Sequence, residues 1–209
     1  METQQVHSLM EKFREKSREK KYQLFIEQLK PDADDVIVNV GAGNGLFLES
    51  IYDRKDKIIA LDIDVVMLND LKRKYPDVQC VVADARALPF KDKAVKISFS
   101  NAVIEHVGAN SHQQKFADEI QRVSQKFYVT CPNKYFPFEF HYRLPFYQFV
   151  PKSIQRWLFK KVNVGLWYEN KWEDINLLSY RQLKKYFPGT RVIKQRITFL
   201  AETLICYKS

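Results

Sequence analysis

Three of the chain's six glycines fall within five residues, Gly41-Ala42-Gly43-Asn44-Gly45, directly after the short apolar run at 36–40. Glycines at such a turn permit positive φ and let a ligand approach the backbone closely. Their spacing is not that of the common nucleotide loops. Leu46 occupies the sixth position, where a dinucleotide fingerprint needs its last glycine, and no Gly-Lys-Ser/Thr follows for a phosphate loop. Two carboxylates stand behind the loop. Asp62, in Ala-Leu-Asp-Ile-Asp, could accept hydrogen bonds from both hydroxyls of a ribose. Asp84, in Val-Ala-Asp-Ala-Arg-Ala-Leu-Pro-Phe, could accept from an exocyclic amine. Taken singly, each acid reads as well as a cap on the helix or turn that follows it. His106, in Glu-His-Val, and His141, in Phe-Glu-Phe-His-Tyr-Arg, are the candidate proton acceptors, whereas His7 and His112 have no neighbours that lift them above surface residues.

The elements that must position these groups follow from the periodicity. Apolar runs rich in Val and Ile at 36–40, 58–61, 78–82, 95–99 and 127–130 predict strands. Helical patterns at 46–52, 65–74 and 111–125 fall between them, the second stopped near Pro76. That alternation predicts a parallel sheet covered on both faces, which binds ligands beyond the carboxyl ends of its strands. A charged helix up to about residue 30 precedes it, ending at Pro31 and Asp32. Two extended segments at 191–197 and 199–207, jointed at Thr198, suggest an antiparallel pair at the end.

With the loop and the two acids in register at three successive strand ends, the series Val-Asn-Val-Gly-Ala-Gly-Asn-Gly, Ala-Leu-Asp-Ile-Asp, Ala-Asp-Ala-Arg-Ala-Leu-Pro-Phe and Ser-Asn-Ala-Val-Ile-Glu-His-Val resembles the class I S-adenosylmethionine-dependent methyltransferases. It is most similar to their small-molecule branch with Glu-His-Val after strand four, and the resemblance covers about 35–131. It implies an α/β fold of three layers, α/β/α, Rossmann-like, with a seven-stranded, mostly parallel sheet, an antiparallel terminal strand and an aromatic lid inserted after strand five. It implies one domain: an N-terminal helix over 1–30, a cofactor-binding core over 35–131, a substrate lid over 132–189 and a terminal strand pair over 190–209. By the same resemblance S-adenosyl-L-methionine is the cofactor. Gly41, Gly43 and Gly45 would line its methionine part, Asp62 with Ile63 its ribose, and Asp84 with Ala85 its adenine, while Ser100 and Asn101 would face the sulfonium. Two positions depart from the family pattern. Asn39 stands where an acid is usual, and loses the charge attraction to the cofactor's ammonium; Lys96 replaces an acid before the fourth apolar run.

Methyl transfer from a sulfonium is an in-line displacement, which a protein assists by positioning and by excluding water. No covalent nucleophile is needed, though an oxygen acceptor of high pKa calls for a base. Base methylation through Asn/Asp-Pro-Pro-Tyr is disfavoured because Ala-Val-Ile follows Asn101, and Cys131 reads as a buried small hydrophobe rather than a nucleophile.

The formal charge of +9 is unevenly spread: residues 131–209 hold 14 basic and 5 acidic groups, and 18 of the 29 aromatics. Residues 31–130 carry 13 basic and 15 acidic groups, so the charge bears on the acceptor and not on the core. The segment 132–150, with prolines at 132, 137 and 145 among closely spaced aromatics, reads as an ordered lid, followed by helices at 152–161 and 180–186 with Trp167, Tyr168 and Trp172 between them. The expected acceptor is a small molecule or lipid-linked and anionic, methylated at oxygen or nitrogen, with peripheral membrane contact compatible with the basic, aromatic surface. An RNA methyltransferase and a non-catalytic S-adenosylmethionine-binding module are the alternatives. Three scattered cysteines, no secretory h-region and no apolar stretch of membrane-spanning length predict a cytoplasmic protein with reduced thiols and no metal site.

Overall fold

A computed structural model describes residues 2–45, 48, 55–142, 144–161, 172–197 and 199–209, with residues 2–11 as backbone only. The helix expected over 46–52 lies outside the described residues except for Leu48, which is buried; Arg143, Trp167, Tyr168 and Thr198 lie outside them too.

Helix α1 spans Glu2–Leu29, and strand β1 Ile37–Val40. Strand β2, Ile58–Asp62, leads into α2, Val65–Lys74, and β3, Gln79–Val82. Strand β4, Val95–Asn101, is followed by α3, Asn110–Val123, and β5, Ser124–Pro132. The chain ends in α5, Tyr180–Tyr186, and the strands β8, Arg191–Arg196, and β9, Ala201–Lys208. Among the described residues seven strands form one sheet in the order β3-β2-β1-β4-β5-β9-β8. The pairings from β3 to β5 are parallel, and β9 runs antiparallel to both β5 and β8. The antiparallel strand therefore lies inside the sheet, between β5 and the edge strand β8. Phe199 stays outside it and is 93% exposed, so the last strand starts later than its apolar pattern predicts.

All four residues of β1 are buried, as a central parallel strand requires. Alternation sends Val38 and Val40 into a core with Phe116, Ile120 and Leu183, from α3 and α5. Ile37 enters the opposite core with Phe25, Leu68 and Leu71, from α1 and α2. Within α1 the buried residues Tyr22, Phe25 and Leu29 recur at helical spacing. Phe25 meets the rings of Phe99 and Tyr128 edge-on, at 5.2 and 5.5 Å. Each such side chain contributes about 1.5–3 kcal/mol by burial.

After β5 the chain leaves the sheet and builds a smaller structure of its own. A hairpin of β6, Phe138–Glu139, and β7, Leu144–Pro145, precedes α4, Lys152–Lys161. Tyr142, Tyr147 and Ile175 form its core, packed by Leu158, Phe159 and Trp172 among others. Among the described residues no helix is long and apolar enough to cross a membrane.

Candidate functional site

The glycine loop turns directly off the buried end of β1. Gly41 and Ala42 donate their N–H groups to the Leu61 carbonyl at the end of β2, at 2.8 and 3.0 Å. Gly41 has φ +74°, and a Cβ there would stand 2.2 Å from Val103 Cγ2, so both backbone and packing demand glycine. At Gly43, with φ +52°, no described atom lies within 4 Å of where a Cβ would be, so its backbone is open to a ligand. Its N–H donates to Asp62 Oδ2 at 2.8 Å, and Asp64 N–H donates to Asp62 Oδ1 at 3.0 Å. Asp64, not Asp62, caps α2, accepting from Val66 and Met67 N–H at 2.8 and 3.1 Å. The two acids of Asp-Ile-Asp thus divide the work of helix cap and loop anchor.

A cleft of about 630 Å³ opens above these strand ends, within the usual range for ligand sites. Of the residues singled out in the sequence, Gly41, Gly43, Asp62 and Ile63 line it, as do Asp84, Ala85, His106 and His141. Four others lie behind its wall. Gly45 packs under Leu71 and Tyr75. Ser100 is fully buried and donates its hydroxyl to the Val40 carbonyl at 2.9 Å. Asn101 Oδ1 accepts from Lys21 Nζ at 2.9 Å and Thr130 Oγ1 at 2.8 Å. Asn39, on the α1 side of β1, is 2% exposed and its Nδ2 finds no partner among the described residues.

Asp84 is more committed than its position in the sequence suggests. Arg86 donates its own N–H and Nε to Oδ1, at 2.8 and 2.9 Å, and Nε and Nη2 to Oδ2, at 3.0 and 2.6 Å. That fork holds the Asp84 carboxyl below the usual carboxylate range. Arg86 Nη1 in turn meets His112 Nδ1 at 2.8 Å, a partner that sequence reading did not find for this histidine.

Beside the loop, two histidines meet from distant parts of the chain. His106 follows β4 and His141 sits in the turn of the β6–β7 hairpin, with ring centroids 5.0 Å apart and edge-on. His106 Nδ1 lies 3.0 Å from Glu173 Oε2, and His141 Nδ1 2.7 Å from Glu139 Oε1. Burial alone would lower His141, but the Glu139 hydrogen bond and the charges of Glu139, Glu105 and Glu173 outweigh it and raise its pKa. Glu105 is fully buried, and burial pushes its carboxyl up. Lys21 arrives from α1, and burial lowers its ammonium to about 8. Arg86 was visible in sequence only as a neighbour of Asp84; Glu173 and Lys21 carried no local signal. Cys131 is 1% exposed with its thiol pushed well up by burial, the environment of an inert core cysteine.

With this geometry in place, the relatives are informative. Residues 38–126 match the family model of a methyltransferase domain. An uncharacterised methyltransferase-like protein of Schizosaccharomyces pombe is 37% identical over 93 residues, 44% of this chain and 35% of that protein. A demethylmenaquinone methyltransferase of Renibacterium salmoninarum is 41% identical over 66 residues, covering 30% of this chain and 28% of its own. The chain thus spans about a third of the length of the curated relatives it matches. Among solved structures, the PH0226 protein of Pyrococcus horikoshii superposes with a TM-score of 0.62 at 14% identity, over 88% of this chain and 85% of that one. The glycine loop and the acids at the ends of β2 and β3 lie within residues 38–126, which match the methyltransferase domain model, and the seven-stranded sheet with its inserted antiparallel strand has the fold of S-adenosylmethionine-dependent methyltransferases.

Proposed function

We propose that this protein transfers the methyl group of S-adenosylmethionine to an oxygen or nitrogen of a small or lipid-linked, anionic acceptor. The observation that carries the reading is Asp62, which anchors the open Gly43 backbone and still lines the cleft. The described residues use two of its roughly four lone-pair positions, leaving two for a pair of ribose hydroxyls. Ile63 and Met67, 66% and 38% exposed, supply an apolar wall for a flat base. Asp84 contributes less than its position suggests, because Arg86 already fills its acceptor positions.

When bound, the cofactor supplies an electrophilic methyl on sulfur. The rest falls to the chain. Gly41 and Gly43 admit the ligand to the backbone, and the lid brings His141 and Tyr142 over the cleft and restricts water. The acceptor's lone pair forms the new bond as the carbon–sulfur bond breaks, with its electrons left on sulfur. A hydroxyl or protonated amine must also give up a proton, and His106 and His141 are the groups placed to receive it. Each ring is oriented by a carboxylate on Nδ1, which leaves Nε2 for that task.

An amphiphilic acceptor is favoured by the exposed Phe146, Phe149, Ile154 and Trp157 of the lid, on the part of the chain that carries the positive charge. The test has two arms. Calorimetry with S-adenosylmethionine is expected to give saturable binding that Asp62→Ala weakens at least about tenfold, the loss of two charge-assisted hydrogen bonds. No binding, or binding indifferent to Asp62→Ala, defeats the assignment. Incubation with cell extract and labelled cofactor is expected to place the label in an organic-soluble or small anionic product. Label in RNA would select the alternative acceptor, and binding without turnover would leave a module that only holds the cofactor.

A further inference from the structure

Glu105, His106 and His141 each offer a ligand atom, and these atoms lie within 4.8 Å of one another. Glu105 is 0% exposed, and neither carboxylate oxygen has a hydrogen-bond partner among the described residues. Burying a carboxylate without donors is costly, and the cost is relieved by a proton or by a cation bound between the carboxylate and its neighbours. The surroundings match that need. Glu173 and Glu139 hold the two Nδ1 atoms, the arrangement by which outer carboxylates orient metal-binding imidazoles and raise their basicity. Three carboxylates stand around two imidazoles, and the other cation acting on Glu105 is Lys21, whose Nζ is bonded to Asn101.

We propose that Glu105, His106 and His141 form a binding site for a divalent first-row transition ion of the zinc type, open on one side to the cleft. Two imidazoles and one carboxylate suit such an ion better than magnesium or calcium, and three protein ligands leave a position for an exogenous oxygen. Ligands of a tetrahedral ion stand about 3.3 Å apart, so the side chains must draw together by roughly 1–1.5 Å. Rotation of His106 and His141, which are not fully buried, provides that movement. The ion deepens the reading given above by replacing its proton step: with His106 and His141 as ligands, an acceptor hydroxyl in the open position is made more acidic, as metal-bound water is, and gives its proton to solvent instead of to an imidazole. That role rests on the methyltransferase assignment, whereas the binding of the ion does not.

The test uses the full chain, stripped with chelator and titrated with Zn²⁺ or Co²⁺ alone. Wild type is expected to take up one ion per chain in calorimetry, to show a Co²⁺ visible spectrum of mixed nitrogen and oxygen ligation, and to melt at a higher temperature with the ion. Glu105→Gln keeps the size of the side chain and is expected to lower affinity at least about tenfold and abolish the melting shift. His106→Gln, at an exposed loop position, is expected to do the same and serves if the buried variant does not fold. Wild type that binds no ion, or binding equally tight in both variants, overturns the proposal. Cofactor calorimetry on the same samples separates the two readings: an intact ion site without cofactor binding defeats the methyltransferase assignment alone, and the reverse defeats the ion site alone.

Discussion

Lys21 shows what one side chain contributes that no motif announces. Its ammonium reaches across from α1 to Asn101 Oδ1 at 2.9 Å, tying the N-terminal helix to the end of β4 where the cleft begins. Burial lowers its pKa from the ordinary 10.5 to about 8. The folded state therefore sheds this proton at lower pH than the unfolded chain does. Below pH 8 both states are protonated and the full cost of the buried charge is present; between 8 and 10.5 the unfolded state binds more protons, and stability rises. Compared with Lys21→Met, wild type is expected to gain about 1–2 kcal/mol on going from pH 7 to pH 10, read from paired denaturant melts. A constant difference across that range would mean that Lys21 is solvated and its bond to Asn101 incidental. The positions of Gly41 and Asp62 beside the cleft were legible beforehand because each follows from its place at a strand end. Asp84 was legible only in part: its position followed from the strand pattern, whereas its capture by Arg86 depended on rotamers that no spacing encodes.

At the scale of elements, α1 is more than a charged leader. Its sequence alternates Lys, Arg and Glu densely, and among its described apolar side chains Tyr22, Phe25 and Leu29 mark the buried face. Those residues cover Phe99 and Tyr128, while Tyr128 Oη donates to the Lys21 carbonyl at 2.8 Å and Tyr207 Oη to Gln28 Oε1 at 2.7 Å. Phe25→Ala is expected to cost about 3–5 kcal/mol in unfolding free energy, since it opens a cavity between helix and sheet. It should weaken cofactor binding as well, by loosening the helix that holds Asn101. A loss below about 1 kcal/mol would show that α1 docks through its backbone bonds alone. The same docking brings Phe13 against Phe140 of the β6–β7 hairpin, with ring centroids 5.6 Å apart. The first and third parts of the chain thereby support each other beside the site.

For the molecule as a whole, the charge of +9 is concentrated after residue 130, where it is divided between the aromatic segment that follows β5 and the α5, β8 and β9 end of the sheet domain. Some of the cations of α4 are already engaged: Lys152 pairs with Asp174 at 2.9 Å, and the Arg156 guanidinium lies 4.6 Å from the centre of the Trp172 ring. Lys160 and Lys161 at the end of α4, with exposed Ile154 and Trp157, remain as an outward surface. Sedimentation with anionic vesicles is expected to show binding at about 50 mM salt that is largely lost by about 500 mM, with Trp157→Ala weakening it at both. Binding to neutral vesicles of equal strength would assign the contact to apolar insertion alone. The amino-acid sequence by itself determined the strand–helix alternation, the glycine loop, the placing of Asp62 and Asp84 behind it and the uneven charge. All of these rest on local periodicity and on turn chemistry that short stretches of chain express unaided. Only the tertiary structure decided that β9 inserts between β5 and β8, that Ser100 and Asn101 are used inside the protein, and that Glu105, His106, His141, Glu139 and Glu173 converge. Those outcomes join residues as far apart as Lys21 and Asn101 or Phe127 and Lys208, and they depend on which faces pack together, a quantity no local pattern contains.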